Sequence, residues 1–404
     1  HDIVCKIAAI VVVGGVRRSA LISLSDLNDE EMRTAKSGQW WEREGQRALA
    51  NNSVNYKEKP NVGTFMREWL SLYDSKSGER GMYNGASAKT QVEKLNEREK
   101  DENQEFIKRR EPREDFGTNP CSEIILRSRE FCNLSECIVR RHDTTESLIK
   151  KVRIATILGT FQSTLTNFRY LTKEWERNCS DERLLGVSLT GILDNPLTSG
   201  RKKGLDELLQ TLRKVAVDTN KEWSSKLGVK RSAAITCVKP SGTVSQLVDS
   251  ASGIHARHSP YYIRTVRADN KDPLCQMMKQ SGFPNEPDVT KPNHTTVFSF
   301  PTESPKGAIC RTDMTAIEQL KLWSSYQEHW CEHKPSITVT VKDQEWPEVG
   351  SWVWENFDDI SGISFLPFSD HTYRQAPYQD CTKIEYDEMS KLIPKDVDLS
   401  LIHI

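Results

Sequence analysis

Paired cysteines are missing from this chain. Ten cysteines lie singly along 404 residues, with no Cys-x-x-Cys among them. That pattern indicates neither a zinc ribbon nor the disulfide framework of a secreted protein. Charge of one sign is also missing: the formal net charge is −1, so nothing argues for a nucleic-acid or anionic-membrane partner. The longest apolar run, Ile7 to Val16, is broken by glycines and is far too short to span a membrane. No signal-peptide pattern precedes it. Internal repeats, low-complexity linkers and the Walker spacing of a phosphate loop are absent as well. What remains is a reduced, cytoplasmic protein, long enough to bury a substantial core in one large domain.

The chain opens at His1 without an initiator Met and closes on Leu399 to Ile404. Residues 399–404 are set aside as a non-native tail. Residues 1–398 read as the C-terminal portion of a longer protein.

Strand-like runs at 232–238, 294–300, 335–342 and 362–368 alternate with helical patterns. The helical stretches cover roughly 145–170, 204–227 (ending at Gly228) and 314–332. Such alternation predicts an α/β architecture with much parallel pairing. The mixed-charge stretch 91–115 predicts a solvated helix. Residues 123–126 predict a strand returning from Phe131 as a hairpin, which would carry Cys132 toward Cys121.

The most informative segment is Asn119-Pro120-Cys121-Ser122-Glu123. The residue before proline avoids helical backbone. In an extended chain Asn119, Cys121 and Glu123 would share one face, with Ser122 and Ile124 on the other. An amide, a redox-capable sulfur and a proton acceptor would then meet one substrate. The alternative is a buried cysteine in a turn.

A second segment, Lys239-Pro240-Ser241-Gly242-Thr243-Val244-Ser245-Gln246, follows the apolar run Ala233 to Val238. A strand feeding such a turn and then a helix presents N–H groups and hydroxyls to an anion. An ordinary capped turn is the other reading. His329 and His333 would share a helical face as metal ligands do, but no further ligands accompany them and a structural role is preferred. Asn51-Asn52-Ser53 could bond a ribose or close a helix. Tyr261-Tyr262 invite a radical relay but read better as packing beside a strand, and His255 and His258 could touch substrate but read as exposed loop residues.

Taken together, the chain resembles the adenosylcobalamin-dependent (class II) ribonucleotide reductases of the monomeric triphosphate-reductase type. The motifs that carry this are Gly14 to Ala20, Ala50 to Val54, Asn119 to Glu123, Phe131 to Glu136, Lys239 to Gln246, Ser369 to Tyr373 and Gln375 to Tyr378. The resemblance implies a ten-stranded α/β barrel, partial in this chain, with a finger loop carrying the radical cysteine. It implies Cys121 as the thiyl site, Glu123 as general base on the 3′-hydroxyl, and Asn119 orienting the ribose. It further implies Cys132 as half of a redox pair, and Ser241, Gly242, Thr243 and Ser245 as the substrate-phosphate loop, with Asn52 and Ser53 as possible substrate contacts. No bound metal is implied beyond the cobalt of the cofactor.

Expected partners are a ribonucleoside triphosphate, a deoxynucleotide effector and a thioredoxin-like or dithiol reductant, with the protein a monomer. The second redox cysteine, the effector loop and the C-terminal thiol pair are expected outside these 404 residues, so no multiple turnover is expected of the chain alone. Three alternatives stay open: a reductase served by a metal-cofactor subunit, a thiol hydrolase or transferase with a histidine base, and a non-catalytic nucleotide-binding module.

Overall fold

The computed structural model describes residues 1–13, 16–17, 19–242, 244–289, 291–368 and 375–395. The motif positions Gly14, Gly15, Arg18, Thr243 and Ser369 to Tyr373, and the tail from Leu399, lie outside the described residues. The sequence reads as one large domain, whereas the chain forms two compact units. The larger is Leu21–Ala256 with Met314–Phe368; the smaller is His1–Ala20 with Arg257–Asp313 and Ser369–Ile404.

The larger unit holds β1 (Leu21–Ser25), β2 (Ala50–Tyr56), β3 (Gly81–Asn84), β4 (Gly117–Thr118), β5 (Ile125–Leu126), β6 (Asn133–Ile138), β7 (Leu185–Thr190), β8 (Thr236–Cys237), β9 (Ile337–Val341) and β10 (Gly362–Pro367). Strands β6, β7 and β8 pair in parallel, and Val238 bridges to Pro335 in parallel, which joins β8 to β9. Strand β9 is parallel to β10. Strand β10 then meets β3 antiparallel, and β3, β2 and β1 are parallel to one another. The strands from β6 to β10 thus run one way and β1 to β3 the other, in one continuous series. Helices make the crossovers, among them Thr145–Gln162, Leu205–Leu227 and Trp346–Glu355, as parallel neighbours require.

Local sequence explains these elements. All six residues of β7 (LGVSLT) are buried, as in a strand covered on both faces. Strand β9 (ITVTV) alternates buried with half-buried positions, and its β-branched residues suit a pleated surface. The helix Leu205–Leu227 stops where Gly228 takes φ +65°, a left-handed cap that costs glycine little.

The charged stretch 91–115 departs from expectation. The helix Gly85–Asn96 ends early, and the chain beyond it is mostly irregular. Arg110 is buried, pairs with Glu182 and donates to the Ile125 carbonyl at 3.0 Å. A mixed-charge run looks the same in sequence whether its members face water or a buried partner.

The smaller unit is built differently. Its sheet, in the order Asn285–Pro287, Thr295–Glu303, Tyr261–Asp269 and Tyr378–Asp380, is antiparallel throughout. Tyr262 is buried and packs against His258 and Tyr378, while the His258 ring lies 3.1 Å from Asp380. Among the described residues, no helix is long and apolar enough to cross a membrane.

Candidate active site

Strands β4 and β5 pair antiparallel, and the hairpin they form carries the Asn119–Glu123 segment in its loop. Ser122 N–H donates to the Asn119 carbonyl at 2.8 Å, closing a four-residue turn with Pro120 second, where its fixed φ is favoured. Ser122 takes φ +65°. The Asn119 side chain locks the loop from inside, its Oδ1 accepting from Ile124 N–H at 3.0 Å. The segment is therefore a turn rather than an extended strand, and its side chains do not divide as an extended chain would divide them.

Cys121 and Ser122 both line a cavity of about 270 Å³ in the larger unit, whereas Glu123 is fully buried behind them. The expected pairing also shifts. Strand β5 pairs back to β4, not forward to Phe131, and Cys132 precedes β6. Cys132 packs on the apolar cluster of Ile124, Leu184 and Cys237. Burial first, and then the Glu123 carboxylate, push its thiol far up.

Three segments distant in sequence grip this loop. Asn51 Nδ2 donates to the Pro120 carbonyl at 2.8 Å. The segment 333–336 lies along the loop: Lys334 N–H donates to the Glu123 carbonyl at 3.1 Å, and Lys334 Nζ to Ser122 Oγ at 3.3 Å. In the same segment Ser336 Oγ donates to the Cys121 carbonyl, and His333 Nδ1 accepts from Ile125 N–H at 3.3 Å. Gly362 completes the fit, because a Cβ there would stand 2.6 Å from Ser122 Oγ and 3.3 Å from Lys334 Nζ. Lys239, the third contact, reaches Glu123 Oε1 with its Nζ at 3.1 Å. Glu123 Oε2 is buried without a hydrogen-bond partner. An orphaned buried carboxylate oxygen is costly and calls for an explanation at a site of chemistry.

The cavity beside Cys121 is also lined by Asn51, Asn52, Ser53, Ser336 and Thr338. Asn52 and Ser53 are mostly buried but reach this wall. In the Lys239–Gln246 segment, Ser241 Oγ donates to Glu136 at 3.2 Å and accepts from Ser245 N–H at 3.1 Å. Ser245 Oγ donates to the Ser241 carbonyl. Both hydroxyls face inward, Gly242 is exposed, and Thr243 lies outside the described residues. Burial raises the Glu136 carboxyl, and the Ser241 hydroxyl opposes that rise.

His329 and His333 do not share a helical face. The helix Ala316–His329 ends before His333, whose Nε2 donates to the Leu185 carbonyl at 3.0 Å. His255 is not an exposed loop residue: its Nδ1 lies 2.9 Å from the Ser252 carbonyl, and its Nε2 accepts from Thr338 N–H at 3.0 Å. Sequence reasoning missed Lys334, Ser336 and the Lys239–Glu123 pair, and it singled out Asn51 without foreseeing its bond to this loop. Only the proximity of Lys239 to a Ser/Gly/Thr-rich turn hinted at any of them.

Comparison with known proteins places this geometry. No protein-family model matches the chain. A solved B12-dependent (class II) ribonucleotide reductase superposes with TM-score 0.75 at 24% identity, over 98% of this chain and 56% of that one. The alpha subunit of the Actinobacillus ureae class Id ribonucleotide reductase gives TM-score 0.57 at 12% identity, over 91% and 74% of the two chains. The fold is therefore the α/β barrel of the ribonucleotide reductases.

Sequence narrows the kinship. The chain is 28% identical over 410 residues to the adenosylcobalamin-dependent ribonucleoside-triphosphate reductase of Euglena gracilis, covering 99% of this chain and 52% of that protein. It is 30% identical over 312 residues to the Lactobacillus acidophilus protein of the same name, covering 70% and 41%. The chain is thus a relative of the adenosylcobalamin-dependent ribonucleoside-triphosphate reductases, as its motifs imply, and spans about half the length of the curated relatives it matches.

Proposed function

We propose that this chain carries the thiol and carboxylate chemistry of an adenosylcobalamin-dependent reductase acting on ribonucleoside triphosphates. One observation bears most of the weight. Cys121 lines a cavity of mixed polar and apolar walls at the tip of a clamped hairpin, and two residues on lies a buried carboxylate with one unpartnered oxygen. The relatives' names supply the reaction class.

The amide and hydroxyl groups of Asn51, Asn52, Ser53, Ser336 and Thr338 suit the sugar hydroxyls of a nucleoside, which the substrate and the adenosyl group of the cofactor both carry. Adenosylcobalamin, when bound, supplies the radical that converts the Cys121 thiol to a thiyl. The thiyl takes the hydrogen from C3′ of the ribose, and Glu123, buried behind the loop with Oε2 unpartnered, is the base for the 3′-hydroxyl proton, a role that requires substrate binding to open Oε2 to the cavity. Asn119, whose Oδ1 is committed to the loop, keeps its NH₂ for the 2′-hydroxyl, which leaves as water with a proton supplied by the Cys132 thiol pair. Two electrons come from Cys132 and a second thiol, which join as a disulfide, and Cys121 returns hydrogen to C3′.

With Ser241 and Ser245 turned inward, substrate phosphate is met by the exposed backbone at Gly242, while the two serines hold the turn in shape. A dithiol or thioredoxin-like protein restores the thiols, a deoxynucleotide acts as effector, and the reductase works as a cytoplasmic monomer.

The test is Cys121→Ser in the full-length reductase, scored by deoxynucleotide formed from a ribonucleoside triphosphate with adenosylcobalamin and dithiol. The expected loss is at least about 10³-fold, the scale on which removing one essential reacting group is felt. Undiminished reduction would overturn the reading and leave a nucleotide-binding module in its place.

A further inference from the structure

Glu123 is fully buried, and the charged and titratable groups facing it come from several elements. Lys239 follows β8, Lys334 leads into β9, Glu136 belongs to β6, and the thiols of Cys132 and Cys237 flank it. Glu136 is a like charge that competes with Glu123. Among the described residues, Lys239 and Lys334 are the cations placed to offset the carboxylate, and they differ. Lys334 is fully buried over the Tyr83 ring, 4.4 Å from its centroid. Burial pulls its ammonium down to about 7, against the opposing pull of Glu123. Lys239 keeps about a quarter of its side chain exposed, at 26%, and pairs directly with Glu123 Oε1. Burial pulls the Lys239 ammonium down as well, but the charges of Glu123 and then Cys121 outweigh it, and the net shift is upward. Near neutral pH, then, Lys239 is the partner that holds its proton.

Its placement is fixed. Lys239 N–H donates to Ser188 Oγ on β7 at 2.8 Å, and the next residue, Pro240, lines the Cys121 cavity. An opposite charge at hydrogen-bond distance typically lowers a carboxyl's proton affinity by one to three pH units. A nearby cation likewise favours a thiolate over a thiol.

We propose that Lys239 is a positioning residue of the Cys121–Glu123 site: its ammonium holds Glu123 by Oε1, leaves Oε2 as the oxygen that receives the substrate proton, and sets the acidity of the Cys121 thiol, which lines the same cavity as the adjoining Pro240. The inference rests on reading Cys121 and Glu123 as the reacting pair. It ties the base to the head of the Lys239–Gln246 turn, so the segment read as a phosphate loop also governs the proton acceptor.

The test needs neither cofactor nor turnover. The pH dependence of Cys121 alkylation by iodoacetamide is measured in the chain by peptide-resolved mass spectrometry, with Cys381, a half-buried thiol of the other unit, as internal control. Lys239→Met is expected to move the Cys121 midpoint upward by about one pH unit, so that alkylation below the midpoint slows about tenfold. Lys239→Arg, which keeps the charge, is expected to stay near the wild-type profile, and Cys381 is expected not to change. If Lys239→Met does not fold, judged by circular dichroism, Lys239→Gln takes its place.

An unchanged Cys121 profile in a folded neutral variant would overturn the proposal, as would equal shifts in the arginine and neutral variants. The two failures remain distinct. Loss of reduction in Cys121→Ser together with an indifferent alkylation profile removes only the lysine role. Retained reduction in Cys121→Ser removes the functional reading whatever the profile shows.

Discussion

The two faces of the Cys121 hairpin are chemically opposite. Toward the cavity stand Pro120, Cys121 and Ser122, opposite the amide and hydroxyl wall of Asn51, Asn52, Ser53 and Thr338. Toward the interior stand Glu123, Lys239 and Lys334, with the thiols of Cys132 and Cys237 packed close by. The first face presents no charged side chain of the hairpin and is reachable. The second is charged and largely sealed, and it holds an acid–base pair away from bulk water, where its interactions are least screened. A two-residue step in sequence crosses from one environment to the other, which an extended strand would not have done.

The largest effect should come from the sealed side. Glu123→Gln keeps the shape and removes the proposed proton acceptor, so turnover of the full-length protein should fall by about 10² to 10⁴, the usual contribution of a general base. Substrate affinity should change far less. A fall in binding equal to the fall in turnover would mean that the carboxylate holds substrate and does not move a proton.

Gly362→Ala sets the two faces against each other. The new methyl would crowd Ser122 Oγ and Lys334 Nζ, and overpacking of this kind costs about 1–3 kcal/mol. A lowered urea midpoint together with slower Cys121 alkylation is expected. An unchanged midpoint would show that the loop yields freely.

Lys334 gives a pH signature. Its ammonium is pulled down to about 7 by burial, whereas an unfolded lysine holds its proton to about 10.4. Above about pH 7 the folded state therefore binds fewer protons than the unfolded one. Stability from this group rises with pH, by at most about 1.4 kcal/mol per unit, and is lowest below 7. Lys334→Met should flatten the rise in urea-unfolding free energy between about pH 7 and 8.5. Equal slopes in the two proteins would assign the rise to another group.

The smallest effect belongs to the reachable side. Asn51→Ala deletes one exposed hydrogen bond to the Pro120 carbonyl, worth about 0.5–1.5 kcal/mol and here at the lower end. Cys121 alkylation should change by no more than a few-fold. A larger change would make Asn51 the principal brace of the turn.

Much of this was legible in the sequence, and the rest has identifiable reasons for being hidden. The helix Leu205–Leu227 and its glycine stop were readable because propensity and cap agree locally. The Asn119–Glu123 and Lys239–Gln246 segments stood out by composition, and their order carried the family resemblance. The turn at Cys121 was not readable, because Pro120 excludes a helix before it yet suits both a strand and a turn, and the Asn119–Ile124 hydrogen bond decides between them. The hidden contacts of Lys334, Ser336 and Asn51 are tertiary: no local pattern marks a lysine that lies under a ring, or a serine that bonds a carbonyl more than two hundred residues away.

That last distance has a consequence for how the molecule comes together. The hairpin β4–β5 closes over a short loop and can form early, but the grip of residues 333–336 on Cys121, Ser122, Glu123 and Ile125 joins parts of the chain separated by 208 to 215 positions. Contacts of such separation carry a heavy closure entropy and slow the search for the native state. During synthesis, the Cys121 sulfur emerges well before the segment that will fix its backbone, so its geometry is among the last features of the fold to be set.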